Sequence, residues 1–117
     1  MEDNKLIISI KDKNSIERFI LICAIGILQS LEEKSITIDE AGRDLFNPFS
    51  VDRLAKLHIS DEVIEIIELG CELEDIESFL PDQLDKEIKK MKESAIEVLK
   101  ETGRHLSNDK WLGEYDI

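Results

Sequence analysis

Aromatic residues are few in this 117-residue sequence: four Phe, one Trp and one Tyr. A core must therefore be aliphatic, and 18 Ile and 14 Leu supply it. Chain breakers are also scarce. Two Pro and five Gly argue against the turn-dense build of a sandwich or barrel and favour helices. The two cysteines, Cys23 and Cys71, lie far apart and outside any CxxC spacing, which excludes a disulfide framework. They read as reduced core thiols. With only two scattered His, no zinc ligand set forms either. An EF-hand would need acids at alternate positions with Gly at its sixth and Glu at its twelfth, and no stretch fits. Di-iron helices would need Glu-x-x-His, but Ala55 and Thr102 stand three residues before His58 and His105. P-loop, GxGxxG and GxSxG motifs are absent. The expectation is a protein that is not an enzyme, with no catalytic residues, no cofactor and no metal.

Long apolar runs are missing as well. The most apolar stretch, FILICAIGIL at residues 19–28, has ten residues, where a membrane span needs about 20. It reads as a core helix. The start, MEDNKLIISIKDKN, is acidic before it is basic and carries no cleavage pattern, so a cytoplasmic location with no membrane partner is expected. No repeat, low-complexity tract or linker divides the chain. We expect one domain over residues 1–117, with a core at 5–102 and a C-terminal tail at 103–117.

The periodicity predicts a mainly α bundle of five to six helices, with one short N-terminal strand possible at residues 6–10 (LIISI). Asn14 with Glu17 matches a capping box and opens a helix to about Glu33; Gly26 within it allows a close neighbour. This helix is apolar nearly all round and is expected to be central. Thr37 with Glu40 repeats the capping signature, opening a short helix that ends near Phe46 before Pro48. Ser50 is placed as the cap of a helix over residues 51–58, ended by His58, and Ser60 as the cap of the next. Val63, Ile66, Ile67, Cys71, Leu73, Ile76 and Leu80 recur at three- and four-residue steps, as a buried side does. A last long helix begins near Pro81 and stops before Gly103, burying Leu84, Ile88, Met91, Ala95, Leu99 and Thr102.

What the chain has in excess is negative charge. Its net charge is −12, and residues 60–87 alone hold eleven carboxylates against one cation, Lys86. If one helix runs through Gly70, then Asp61, Glu65, Glu68, Glu72 and Asp75 form a single stripe at steps of four, three, four and three. Like charges at those spacings cost a helix about 0.2–0.5 kcal/mol per pair. Only Asp61 and Glu62 sit where the helix dipole favours them. Such a surface repels phosphates, so direct nucleic-acid binding is disfavoured. It is complementary to a basic protein and speeds encounter with one. The plainer alternative is a solvated face partly neutralised by Lys86, Lys89, Lys90 and Lys92. Beyond the last helix, Trp111 and Tyr115 are the sole residues of their kinds, in a tail that either folds back or meets a partner.

The runs DLFNPFSVDRL and IIELGCELEDIESFLPDQLD resemble a family of short bacterial proteins of unassigned function, in which an LFSPY-like turn precedes an HLGCELEDVESLIPDKL-like stretch. The similarity spans residues 5 to about 102. Asn47 and Phe49 depart slightly from the turn pattern, and Glu68 stands in place of His. Small acidic helical proteins of this kind also resemble immunity proteins of contact-dependent growth inhibition and related polymorphic toxin systems. That resemblance implies a basic toxin domain as partner, often a ribonuclease, of which EndoU is one type. The partner-binding residues expected are Asp61, Glu65, Glu68, Glu72, Asp75, Trp111 and Tyr115. Two alternatives stand beside this one: a regulatory or scaffolding module that binds a basic segment, and a structural homodimer.

Overall fold

The structure, a computed structural model, describes residues 4–103 and 110–112. Helices α1 (Lys13–Glu32), α2 (Ile38–Asp44), α3 (Pro48–Lys56), α4 (Asp61–Cys71), α5 (Leu73–Phe79) and α6 (Leu84–Glu101) follow one another, with a 3₁₀ turn at Pro81–Gln83. Four of them have nine residues or more, and α2 and α5 are seven-residue pieces. The fold is mainly α, with four substantial helices among the described residues, so the expected count of five to six is reached only by including the two seven-residue pieces. No strand forms among the described residues. The Ile-rich start makes a single antiparallel bridge among the described residues, Ile8 to Leu112.

The frame is the antiparallel pair α1 and α6. At one end Arg18 donates to the carbonyls of Leu99 (3.5 Å) and Thr102 (3.3 Å), and Asn14 donates to that of Gly103. A cation on the last carbonyls of α6 complements its dipole and satisfies orphan acceptors. At the other end Lys92 bonds Gln29 at 2.6 Å and pairs with Glu32. Helix α4 packs against both members of the pair. The core is aliphatic, with Leu21, Leu28, Ile67, Leu73, Ile88 and Val63 its largest fully buried side chains.

Local chemistry explains the helix boundaries, and it differs from the sequence reading in several places. Asp12, not Asn14, caps α1, its Oδ1 accepting from the Ser15 N–H at 2.9 Å. Glu17 is instead buried and reaches across to accept the Ser60 N–H at 2.7 Å. Ser60 occupies the N-cap of α4 without a side-chain bond, and Glu17 supplies to its amide the carboxylate that a capping-box Glu would supply. Thr37 and Glu40 do form a capping box. Asn47, not Ser50, caps α3, with Pro48 at the first helical position where no N–H is missed. Helices α1 and α3 both end in Schellman motifs with left-handed residues, Lys34 and His58 (φ 59° each), in the place glycine usually takes. Leu80 proves exposed rather than buried.

Helix α1 is central in sequence character but not in burial. Leu21, Ala24, Leu28 and Leu31 face the core, while Ile22 remains 40% exposed and nothing lies within 4 Å of where a β-carbon on Gly26 would sit. So Gly26 serves no close approach; Gly70 does. By length and composition alone this 20-residue helix meets the test for a membrane span, a test that core helices and signal sequences also meet.

Candidate functional site

The acidic segment does not form one uninterrupted helix. Helix α4 continues through Gly70 to Cys71, Glu72 takes φ −88° and ψ −7°, and α5 restarts at Leu73. Asp61, Glu65 and Glu68 therefore lie along α4, Glu72 at the break, and Asp75 on α5. The single five-residue stripe becomes a ledge in two sections. Buried positions at Ile66, Ile67, Gly70 and Leu73 keep a helical rhythm across the break, so the sequence carried no mark of it.

Asp61, Glu62, Glu65, Glu68, Glu72, Glu74, Asp75 and Glu77 are all exposed. Among the described residues none of them forms an ion pair. The cations available to neutralise them are used elsewhere or left alone: Lys92 pairs with Glu32, and Lys86, Lys89 and Lys90 pair with nothing described. Arg43–Asp39 (2.8 Å), Lys56–Asp52 (3.0 Å) and Lys100–Glu97 (3.4 Å) are local pairs within their own helices. The field of the ledge is felt at Cys71, whose thiol is pushed up first by burial and then by the carboxylates of Glu68 and Glu72. Burial alone pushes up Cys23. Both thiols are half-buried, so they border the core rather than fill it.

An apolar rim adjoins the acids. Phe79, at the end of α5, is 77% exposed and Leu80 58%. Phe49 on α3 is equally exposed, and Leu69 is partly so. Aromatic anchors ringed by polar residues are the usual make-up of a protein interface. Sequence reasoning passed over Phe79 and Phe49 because an isolated Phe in a helical pattern is normally core. A groove of about 520 Å³ lies where α2, the start of α3 and the α4–α5 break converge, and Asp39, Arg43, Asn47, Cys71 and Glu74 line it. Among the described residues no group of three His, Cys, Asp or Glu is arranged for a metal ion.

Trp111 lies away from the ledge. Its ring meets Phe19 edge-on, centroids 4.7 Å apart at 88°, and it keeps 43% of its surface exposed. The structure thus places Asp61, Glu65 and Glu68 on α4, Glu72 at the break and Asp75 on α5, with Trp111 against Phe19 of α1, and Tyr115 lies outside the described residues.

No curated protein and no solved structure matches the chain. The family match does reach past Thr102, where the sequence resemblance stopped, and so takes in Trp111. It covers residues 11–113, all six helices included, and the chain belongs to that family, DUF3969, a family of proteins of unknown function.

Proposed function

We propose that the protein is a cytoplasmic immunity protein, which binds a basic toxin domain through the α4–α5 ledge and blocks it. The observation that carries this reading is the set of eight exposed carboxylates at residues 61–77 with no ion pair among the described residues. Holding like charges together costs folding stability. A partner's cations recover that cost on binding, and charge complementarity raises the encounter rate. Phe79 and Leu80 at the rim supply the desolvated anchors that charge alone does not. A nuclease is the partner class that fits best, because a cleft built for phosphate is cationic. A ribonuclease such as an EndoU-type domain is the form the sequence resemblance implies. The protein itself does no chemistry in this account.

The test is genetic. The reading frame adjoining this gene is expressed alone and together with the protein. Growth arrest that the protein relieves, and that E65K/E68K/E72K fails to relieve, supports the reading. Absence of arrest overturns the immunity role, and a complex with a basic endogenous protein would then favour the regulatory module.

A further inference from the structure

A second site lies at the opposite end of the charge scale. The chain has 27 acids against 15 bases, yet Lys11, Arg18 and Lys110 line one cleft of about 300 Å³ where the N-terminal segment, α1 and residues 110–111 meet. None of the three pairs with a carboxylate among the described residues. Asp12, the acid in the cleft wall, accepts from Ser15, Oδ1 from the N–H at 2.9 Å and Oδ2 from the hydroxyl at 3.2 Å. Arg18 is anchored by the carbonyls of Leu99 and Thr102, so one cation is held in place before any ligand arrives. Phe19 and Trp111 complete the wall as an edge-to-face pair.

We propose that this cleft binds a small flat aromatic anion, an acid whose ring lies against Trp111 and Phe19 and whose carboxylate or phosphate meets Lys11, Arg18 and Lys110. Ligand sites are mostly apolar with a few convergent polar groups, and range over about 300–1,000 Å³. This cleft is at the small end, which suits one ring system with its acid group better than a dinucleotide or a folded peptide. Guanidinium and ammonium groups beside aromatic faces favour such a ligand twice, through charge and through stacking. The proposal stands apart from the acidic ledge.

Trp111 is the single Trp and so reports on its own site. The intact chain is titrated with 1-naphthoate and with 1-naphthyl phosphate, and with uncharged 1-naphthamide and 1-naphthol as controls, by Trp fluorescence and calorimetry. Saturable binding of at least one acid is expected, at least tenfold tighter than its uncharged counterpart. Which acid binds assigns the head group. K11E/K110E should weaken it at least tenfold with an unchanged melting curve, whereas E65K/E68K/E72K should bind no worse than wild type. If the double variant does not fold, K110A alone should still weaken binding measurably. No saturable binding by either acid, equal binding of the uncharged forms, or undiminished binding by the lysine variants would overturn the proposal.

Discussion

Phe46 lies against Gly70 so closely that a β-carbon at position 70 would stand 2.6 Å from both Cδ1 and Cδ2 of the ring. The two sequence runs that carry the family resemblance, DLFNPFSVDRL and IIELGCELEDIESFLPDQLD, are joined at this contact. Phe46 is buried on one side of it, and the α4–α5 break follows on the other. The contact thus lies two residues before the bend of the acidic ledge at Glu72.

Gly70→Ala should lower stability by about 1–3 kcal/mol through overpacking. Phe46→Ala should cost about 3–5 kcal/mol through the cavity it leaves. Because the two share one contact, the double variant should lose clearly less than the sum. Urea unfolding of the four proteins checks this, and strict additivity would contradict the packing described.

Glu17 and Ser60 tie α1 to the start of α4. Removing the acceptor leaves a part-buried amide unsatisfied, so Glu17→Ala should cost about 1–3 kcal/mol. Glu17→Gln keeps an acceptor oxygen and should cost less. Thermal denaturation of both separates the hydrogen bond from the packing; equal losses would argue against the bond.

Lys34 and His58 hold left-handed conformations that L-residues adopt only at a cost. Replacing each by Gly relieves a strain of roughly 1–2 kcal/mol and adds unfolded-state freedom that takes part of it back. Lys34→Gly and His58→Gly should each stabilise the protein by about 0.5–1 kcal/mol, read from the shift in the denaturation midpoint. Destabilisation by either would mean its side chain does more than terminate a helix.

Cys71 should titrate above the ordinary thiol range, because burial and then Glu68 and Glu72 disfavour the thiolate. Its alkylation at neutral pH should be slow and should quicken only at higher pH than in the unfolded chain. The folded state binds this proton more tightly, so its stability should fall as pH rises through the folded thiol's range. Glu68→Gln with Glu72→Gln should shift the rate profile towards lower pH. An unshifted profile would show that the ledge does not reach the thiol.

Much of this fold is legible in the sequence, because three- and four-residue spacing of Ile and Leu encodes burial directly. The side that buries Val63, Ile66, Ile67 and Leu73 follows from spacing, as does the run of Ile88, Met91 and Ala95. Caps were harder where two polar residues compete within a few positions. Asp12 stands two residues before Asn14, and Asn47 three before Ser50, and only the backbone path decides between them. Glu17 misled because its partner, Ser60, is distant in sequence. The carboxylate positions were readable from composition, but the exposed Phe79 was not, since hydrophobicity alone does not tell a core residue from an anchor. The left-handed His58 carries no sequence mark, as glycine would have done.

The central claim is that the α4–α5 ledge meets a basic toxin domain, and its most direct measurement is the association rate with that domain as ionic strength is varied. Screening shortens the reach of exposed charges to about 8 Å at physiological salt. The wild-type rate should therefore fall steeply as salt rises, and E65K/E68K/E72K should associate far more slowly at low salt with its melting temperature nearly unchanged. A triple variant that folds and associates as fast as wild type, with a rate indifferent to salt, would contradict the account.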